Sequence, residues 1–209
     1  DVVQLGIGVA SYVETTNPMG SGEYGAVEIT NDGGAIVRTG SSSHGQGHHT
    51  SWAMIVSQKT GIPMDKIEFR FGDTDDIERG NGTGGSRSLQ VGGTAAQMAA
   101  ENVIEIARQK AADLLEAAPE DVVLDAATGA FHVVGSPRPS KTWAEIAIAS
   151  PVALFAEADF TPEGATFPFG THVSVVEVDT ETGSVAIVRH IACDDAGTIL
   201  NPLIVDGQV

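Results

Sequence analysis

Gln46 stands between two glycines in the run Gly40-Ser41-Ser42-Ser43-His44-Gly45-Gln46-Gly47-His48-His49-Thr50. A primary amide donates and accepts hydrogen bonds at once, and the flanking glycines let the main chain adopt positive φ and come close to a bound group. Further along, Gly80-Asn81-Gly82-Thr83-Gly84-Gly85-Ser86-Arg87-Ser88 closes on two hydroxyls around a guanidinium and leads into a helical segment. Hydroxyls, a guanidinium and the unpaired amides of a helix start all suit anionic oxygens. Two such runs in one chain point to a single large, polar, anionic ligand.

Other patterns carry less. Gly80-x-Gly82-x-x-Gly85 has the form of the dinucleotide fingerprint, but residues 72–79 separate it from the preceding strand, which disfavours a Rossmann site. His44 and His48 have the spacing of two ligands on one helical face. Gly45 and Gly47 between them oppose regular helix, and no nearby carboxylate or cysteine completes a zinc set. Asp73-Thr74-Asp75-Asp76 lacks the glycine and final glutamate of a calcium loop and reads as a solvated turn. Cys193 follows an apolar strand and reads as a small buried residue. Asn81-Gly82-Thr83 is a glycosylation sequon in form only. The run Asp194-Asp195-Ala196-Gly197-Thr198-Ile199-Leu200-Asn201-Pro202, continuing to Gly207-Gln208, has two readings. It is a strand exit with Asx-type turns, or a segment whose Asn201 and Gln208 amides recognise a polar heterocycle.

The elements that must position these residues follow from periodicity and turn chemistry. Leu5 to Val13 is strand-like, and Ala26-Val27-Glu28-Ile29 with Ala35-Ile36-Val37 around Asn31-Asp32-Gly33-Gly34 reads as a hairpin. Trp52, Ile55 and Val56 repeat at helical spacing after the Gln46 run, with Thr50 or Ser51 as cap and Gly61 as stop. Ile67, Phe69 and Phe71 alternate with Glu68 and Arg70 in a strand that leads to the second glycine run. From Ser88 to Ala118 the chain should form its longest helix, with Ala96, Ala99, Val103, Ala107 and Leu114 near one face. Val122 to Leu124 and Phe131 to Val134 form a further hairpin, and Thr142-Trp143-Ala144-Glu145 is a capping box. Val173 to Val178 and Val185 to Ile191 make the last hairpin, around Asp179-Thr180-Glu181-Thr182-Gly183. Residues 135–139 and 161–170 read as loops, neither of them a domain linker. One long and two or three shorter helices mixed with hairpins, without regular βαβ alternation, make the class α+β.

Composition narrows the partners. With 209 residues and 42% hydrophobic content the chain can bury a core as one domain or as a piece of a larger one. Lys and Arg number 11 against 28 Asp and Glu, a formal charge of −17, which repels nucleic-acid phosphates and anionic lipid surfaces. Any phosphate must therefore be held locally, by main-chain amides and a few side chains such as Arg79 and Arg87. Cys193 is the single cysteine, so no intrachain disulfide forms and the cytoplasm is the default compartment. No apolar stretch is long enough to insert in a bilayer. The start, Asp1-Val2-Val3-Gln4-Leu5, and the end both look like cuts within a longer protein.

Taken together and in order, Gly45-Gln46-Gly47, Gly84-Gly85-Ser86-Arg87-Ser88, Asp195-x-Gly197 through Asn201-Pro202, and Gly207-Gln208 resemble the molybdopterin-binding large subunit of the xanthine dehydrogenase/aldehyde oxidase family. Ser86-Arg87-Ser88 and His44-Gly45-Gln46-Gly47-His48 are in the style of its aerobic carbon monoxide dehydrogenase branch. The resemblance covers nearly the whole chain, hairpins included. It implies a molybdopterin-binding-domain-like fold and, in the intact protein, a molybdopterin dinucleotide with molybdenum that oxidises a carbon centre with oxygen from water. Gln46 would be the catalytic contribution, its amide approaching an oxo ligand of the metal, while Gly45, Gly47 and their neighbours contact the pterin. Gly84, Gly85, Ser86, Arg87 and Ser88 would hold the dithiolene, pterin and pyrophosphate portions, with Asn201 and Gln208 at the pterin or nucleotide end. The implied partners are a small-molecule substrate and subunits carrying iron–sulfur clusters and FAD, in a hetero-oligomer.

The family's catalytic glutamate lies in a Gly-Glu motif that no residue of this chain matches, and its substrate loop is also absent, so the chain alone is expected to be inactive. Two other functions share the same residues. One is a non-redox module binding a nucleotide through residues 80–88 or a metal through the histidines, and the other is a cofactor-free scaffold.

Overall fold

The computed structural model describes residues 2–209; Asp1 lies outside the described residues. The chain divides into two compact units, one formed by the chain up to Pro18 together with Ala165–Val209, the other by Met19–Gly164. Both boundaries fall in irregular segments. The second lies inside residues 161–170, so that stretch is more than the simple loop its composition suggests.

The first unit is a three-stranded antiparallel sheet in which β9 (Phe169–Asp179) runs between β1 (Val3–Val13) and β10 (Val185–Asp195), followed by the short α4 (Pro202–Gln208). The β9 to β10 turn is set by one carboxylate: Asp179 Oδ1 accepts from the amides of Glu181 at 2.9 Å and Thr182 at 3.0 Å. Helix α4 is not foreshadowed by periodicity. Pro202 at its first turn and Asn201 as its cap start it, Asn201 Oδ1 accepting from the Ile204 amide at 3.1 Å.

The second unit holds the core. Its main sheet has the order β4 (Ile67–Arg70), β3 (Ala35–Thr39), β2 (Glu23–Ile29), β8 (Leu154–Phe160), antiparallel except that β4 runs parallel to β3. The crossover between β3 and β4 is helix α1 (His48–Thr60), so the fold contains one β–α–β step within an otherwise mixed arrangement. The long α2 (Gly93–Leu115) lies across β2 and β8. Its buried stripe is mostly alanine (Ala95, Ala96, Ala99, Ala107, Ala111, with Val103), which lets the backbones come unusually close. A Cβ on Gly25 would stand 2.6 Å from the Ala95 carbonyl carbon, so only glycine fits that position of β2.

A second small sheet, β5 (Val122–Asp125), β6 (Ala130–Val133) and β7 (Ser136–Thr142), leads into α3 (Trp143–Ala149). The capping box is present: Thr142 Oγ1 accepts the Glu145 amide at 3.3 Å and Glu145 Oε2 accepts the Thr142 amide at 2.8 Å. Trp143 then packs edge-to-face on Phe131 at 4.8 Å and donates its indole N–H to the Thr60 carbonyl at 2.8 Å, tying α3 to the end of α1.

The α+β class stands, with several local corrections. Residues 136–142 form an edge strand where prolines suggest a loop, because an outer strand need not donate every amide. Leu114 is 38% exposed, since the buried stripe of α2 runs through its alanines. Thr50 and Ser51 lie inside α1, whose cap is Gly47. Strand β8, which has clear alternation in Leu154, Ala156 and Ala158, was not recognised as a strand from composition.

Candidate functional site

Strands β3 and β4 run parallel and side by side, so residues 40–47 and residues 71–87 leave the sheet from the same end. Ligands of open sheets with parallel strands characteristically sit beyond that carboxyl end. The two loops cross in contact at Gly40 and Gly80. A Cβ on either would be 2.3 Å from the Cα of the other, and the Gly82 amide donates to the Gly40 carbonyl at 3.2 Å.

Beyond the crossing, side chains hold the loops together. Thr83 Oγ1 donates to the Ser42 carbonyl at 2.6 Å and accepts the Ser42 amide at 2.9 Å. With its one hydrogen committed, its third contact, at 2.8 Å, makes Ser88 Oγ the donor. Below this lies Glu23, the first residue of β2, whose side chain is 0% exposed. Its Oε2 accepts from Ser41 Oγ at 2.9 Å and Arg87 Nη1 at 2.8 Å, and its Oε1 accepts from the amides of Tyr24 at 3.0 Å and Asn81 at 3.3 Å.

Gly45 and Gly47 are in the left-handed region at φ 102° and 80°, and Gly47 caps α1 without a side-chain bond, so no capping side chain takes up the amides of the first helical turn. Gln46 is half-buried and its Oε1 accepts the His44 amide, which leaves the amide NH₂ as its free donor end. Gly84, Gly85 and Ser86 are exposed, with Gly85 at φ 66° and Ser86 at φ 53°, and a Cβ on Gly84 would meet nothing within 4 Å. Ser88 is buried and opens a π-helical turn, Ser88–Gly92, that runs directly into α2.

The two arginines expected to reach anionic oxygens are already engaged. Arg87 is 4% exposed; beside its ion pair with Glu23, Nη1 donates to the Gly82 carbonyl and Nη2 to the Gly22 carbonyl, leaving Nε as a buried nitrogen without a partner. Arg79 lies over the Tyr24 ring at 4.2 Å and pairs with Asp159 at 2.7 Å and Glu157 at 3.2 Å. An anion placed at these loops would therefore meet main-chain amides and hydroxyls and not these guanidinium groups.

Asn201 and Gln208 belong to the other compact unit, at the two ends of α4. In that unit Gly197 (φ 75°) donates its amide to Asp195 Oδ1 at 2.9 Å, beside a cavity of about 550 Å³ lined by Phe169, Thr171, Cys193 and Ile199 among others. Cys193 is exposed there, not buried, because β10 leaves this part of its strand uncovered. Glu23, Ser41 and Thr83 were not singled out as functional residues; nothing in their immediate neighbours distinguishes Glu23 from any other strand-end carboxylate.

Two of the three histidines sit among aromatic rings: His48 lies 4.8 Å from the Trp52 ring, and His49 lies 5.1 Å from Phe71. Among the described residues no group of three or more His, Cys, Asp or Glu side chains is arranged to hold a metal ion. Burial holds the His48 imidazole below its usual pKa, against the Ser42 carbonyl that favours the charged form, with smaller repulsion from His44 and His49 adding to the depression. A histidine depressed in the folded state binds its proton more readily when unfolded. Stability is therefore lost as pH falls through about 6.5 and onward to the lower folded value. Chemical denaturation at pH 7.5 and 5.5 should show this loss, and His48→Gln should reduce it; an unchanged pH dependence in the variant would refute the assignment.

Comparison with known proteins is consistent with these loops. The molybdopterin cofactor-binding domain profile matches residues 2–209. The carbon monoxide dehydrogenase large chain of Hydrogenophaga pseudoflava is 36% identical over 223 residues, covering 98% of this chain and 28% of the relative. The 6-hydroxypseudooxynicotine dehydrogenase complex subunit gamma of Paenarthrobacter nicotinovorans is 33% identical, covering 99% of this chain and 27% of the relative. Among solved structures, a Cu,Mo-CO dehydrogenase in its carbon monoxide reduced state matches with a TM-score of 0.85 at 33% identity, over 100% of this chain and 28% of that one. Quinoline 2-oxidoreductase from Pseudomonas putida 86 matches with a TM-score of 0.82 at 31% identity, over 99% of this chain and 29% of that one. This chain spans between a quarter and a third of the length of these relatives.

Proposed function

Because the chain belongs to the family of molybdopterin cofactor-binding domains, we propose that residues 40–47 and 80–88 grip a molybdopterin dinucleotide carrying molybdenum, as part of an oxidoreductase of the carbon monoxide dehydrogenase or hydroxylase type. The observation that carries this reading is the mutual bonding of the two glycine-rich loops at one end of a parallel strand pair. Loops fixed to each other present one surface to one ligand. Bound there, the cofactor would supply two-electron and oxygen-atom chemistry.

The residues present fit such a group. Gln46 offers its NH₂ donor to the metal end, and Gly45 and Gly47, with no side chains and left-handed backbone, let the pterin approach the amides that start α1. A Cβ on Gly84 would meet open space, Gly85 at φ 66° holds a turn that would strain a side chain, and Ser86 is exposed beside them. Ser88 and Arg87 act one step back, holding the turn that exposes those donors. Asn201 and Gln208 would be the residues for the pterin or nucleotide end in the intact protein. The partners in the intact protein would be iron–sulfur and flavin subunits of a cytoplasmic hetero-oligomer, with a small-molecule substrate.

The test is made on the full-length protein with its partner subunits. Elemental analysis should find molybdenum, and Gln46→Ala should lower substrate oxidation on the order of ten- to a hundredfold, the usual effect of removing an outer-shell hydrogen bond at a metal site. A metal-free preparation with full activity would refute the assignment.

A further inference from the structure

We propose that Glu23 is a positioning residue of the cofactor site: a carboxylate that ties the Gln46 loop and the Ser86 loop to one point of the sheet without itself reaching the ligand. This inference rests on the cofactor reading above. A fully buried carboxylate at a strand end is costly unless every lone pair is used, and here both oxygens are doubly engaged by groups from three different segments. Ser41 belongs to the first loop, Asn81 and Arg87 to the second, and Tyr24 to the strand that anchors them.

The geometry makes the tie specific. Arg87 does not merely neutralise Glu23. The same guanidinium takes the carbonyls of Gly82 and Gly22, so it folds the second loop back on itself and pins it to the segment before β2. Ser41, 0% exposed, hands the other Glu23 contact to the first loop one residue before Ser42, which is itself bonded to Thr83. Gly92 leaves no slack behind it, since a Cβ there would stand 2.9 Å from Ser41 Oγ. Register between the loops is thereby set from beneath by Glu23 and from above by Thr83. The Gln46 NH₂ group and the exposed Ser86 take part in none of these ties between the loops, which frees them for a ligand.

A carboxylate whose role was only to stabilise the unit would lower the melting temperature and leave the geometry of a bound metal unchanged. A positioning carboxylate must alter that geometry. The experiment uses the full-length protein with its partner subunits, as wild type, Glu23→Gln and Ser41→Ala. Ser41→Ala removes one arm of the tie and keeps the ion pair, so it decides the matter if Glu23→Gln does not fold. Hydrogen exchange of the amides in residues 42–47 should be about tenfold faster in Ser41→Ala, the effect of one lost buried hydrogen bond. Residues 82–88 should join them in Glu23→Gln. Molybdenum retained after gel filtration should fall, and the electron paramagnetic resonance spectrum of the partly reduced metal should broaden as its surroundings become heterogeneous. Wild-type exchange in these loops overturns the tie, as does faster exchange with wild-type metal retention and spectrum. If the wild-type protein itself carries no molybdenum, the cofactor reading fails, and the exchange measurement alone decides whether Glu23 sets the register of the loops.

Discussion

Gly40→Ala is expected to cost the intact protein most of its molybdenum and several degrees of melting temperature together, because the added methyl has no room. Its carbon would stand 2.3 Å from both Gly80 Cα and Glu23 Oε1, and 3.0 Å from the Arg79 carbonyl. The first contact sets a Cβ, which has no rotamers, against backbone, so one loop must move relative to the other. Overpacking of this kind costs about 1–3 kcal/mol or more. The displaced loops would no longer share one ligand surface, and metal content should drop roughly tenfold or more, by analogy with lost outer-shell support at metal sites. Gly40 is not in the left-handed region, so the effect comes from space and not from backbone strain. Gly84→Ala is the matched control for stability: its Cβ meets nothing within 4 Å, and its melting temperature should stay within the effect of about 0.5 kcal/mol. Equal losses of stability in the two variants would show that the crossing of the loops is not what makes glycine necessary at position 40.

Trp52→Ala should destabilise the second unit by about 3–5 kcal/mol, the range for truncating a large buried aromatic. Trp52 is 0% exposed, and its ring packs at a tilt against His48 at 4.8 Å and Phe69 at 5.6 Å, joining α1 to β4. Its indole N–H also reaches the Ser88 carbonyl at 3.1 Å, so the same residue couples α1 to the turn that begins the π-helical segment. Trp52→Phe keeps most of the volume and loses that bond. The Ser88 carbonyl retains the Gly93 amide as a partner, so the cost there should be nearer 1 kcal/mol. Urea unfolding of the two variants measures both numbers. A Phe variant as unstable as the Ala variant would mean that the hydrogen bond, and not the packing, dominates at this position.

The local conformation of the candidate site was legible because the signals are short-range. A glutamine between glycines, a serine-flanked arginine after a glycine run, and a Thr-x-x-Glu box each constrain backbone within a few residues. The structure puts positive φ at Gly45, Gly47 and Gly85 and completes the box at Thr142 and Glu145. Helix α2 was legible for the same reason, as a long alanine-rich stretch closed before a proline. Arg87 shows where such reading stops. Its place after the glycines suggests a hand held out to phosphate, yet folding turns it inward onto Glu23, 64 positions earlier in the chain.

The sequence by itself determined the α+β class, the two glycine-rich loops and the family to which the chain belongs, since all of these follow from local conformational preference and ordered motifs. Only the tertiary structure decided that the loops cross at Gly40 and Gly80, that both arginines are consumed by the protein, and that Glu23 lies beneath the loops. Those facts depend on β3 lying parallel to β4 and on α2 pressing against Gly25. Close contact between segments distant along the chain is set by strand register and helix approach, and no local pattern of residue types encodes it.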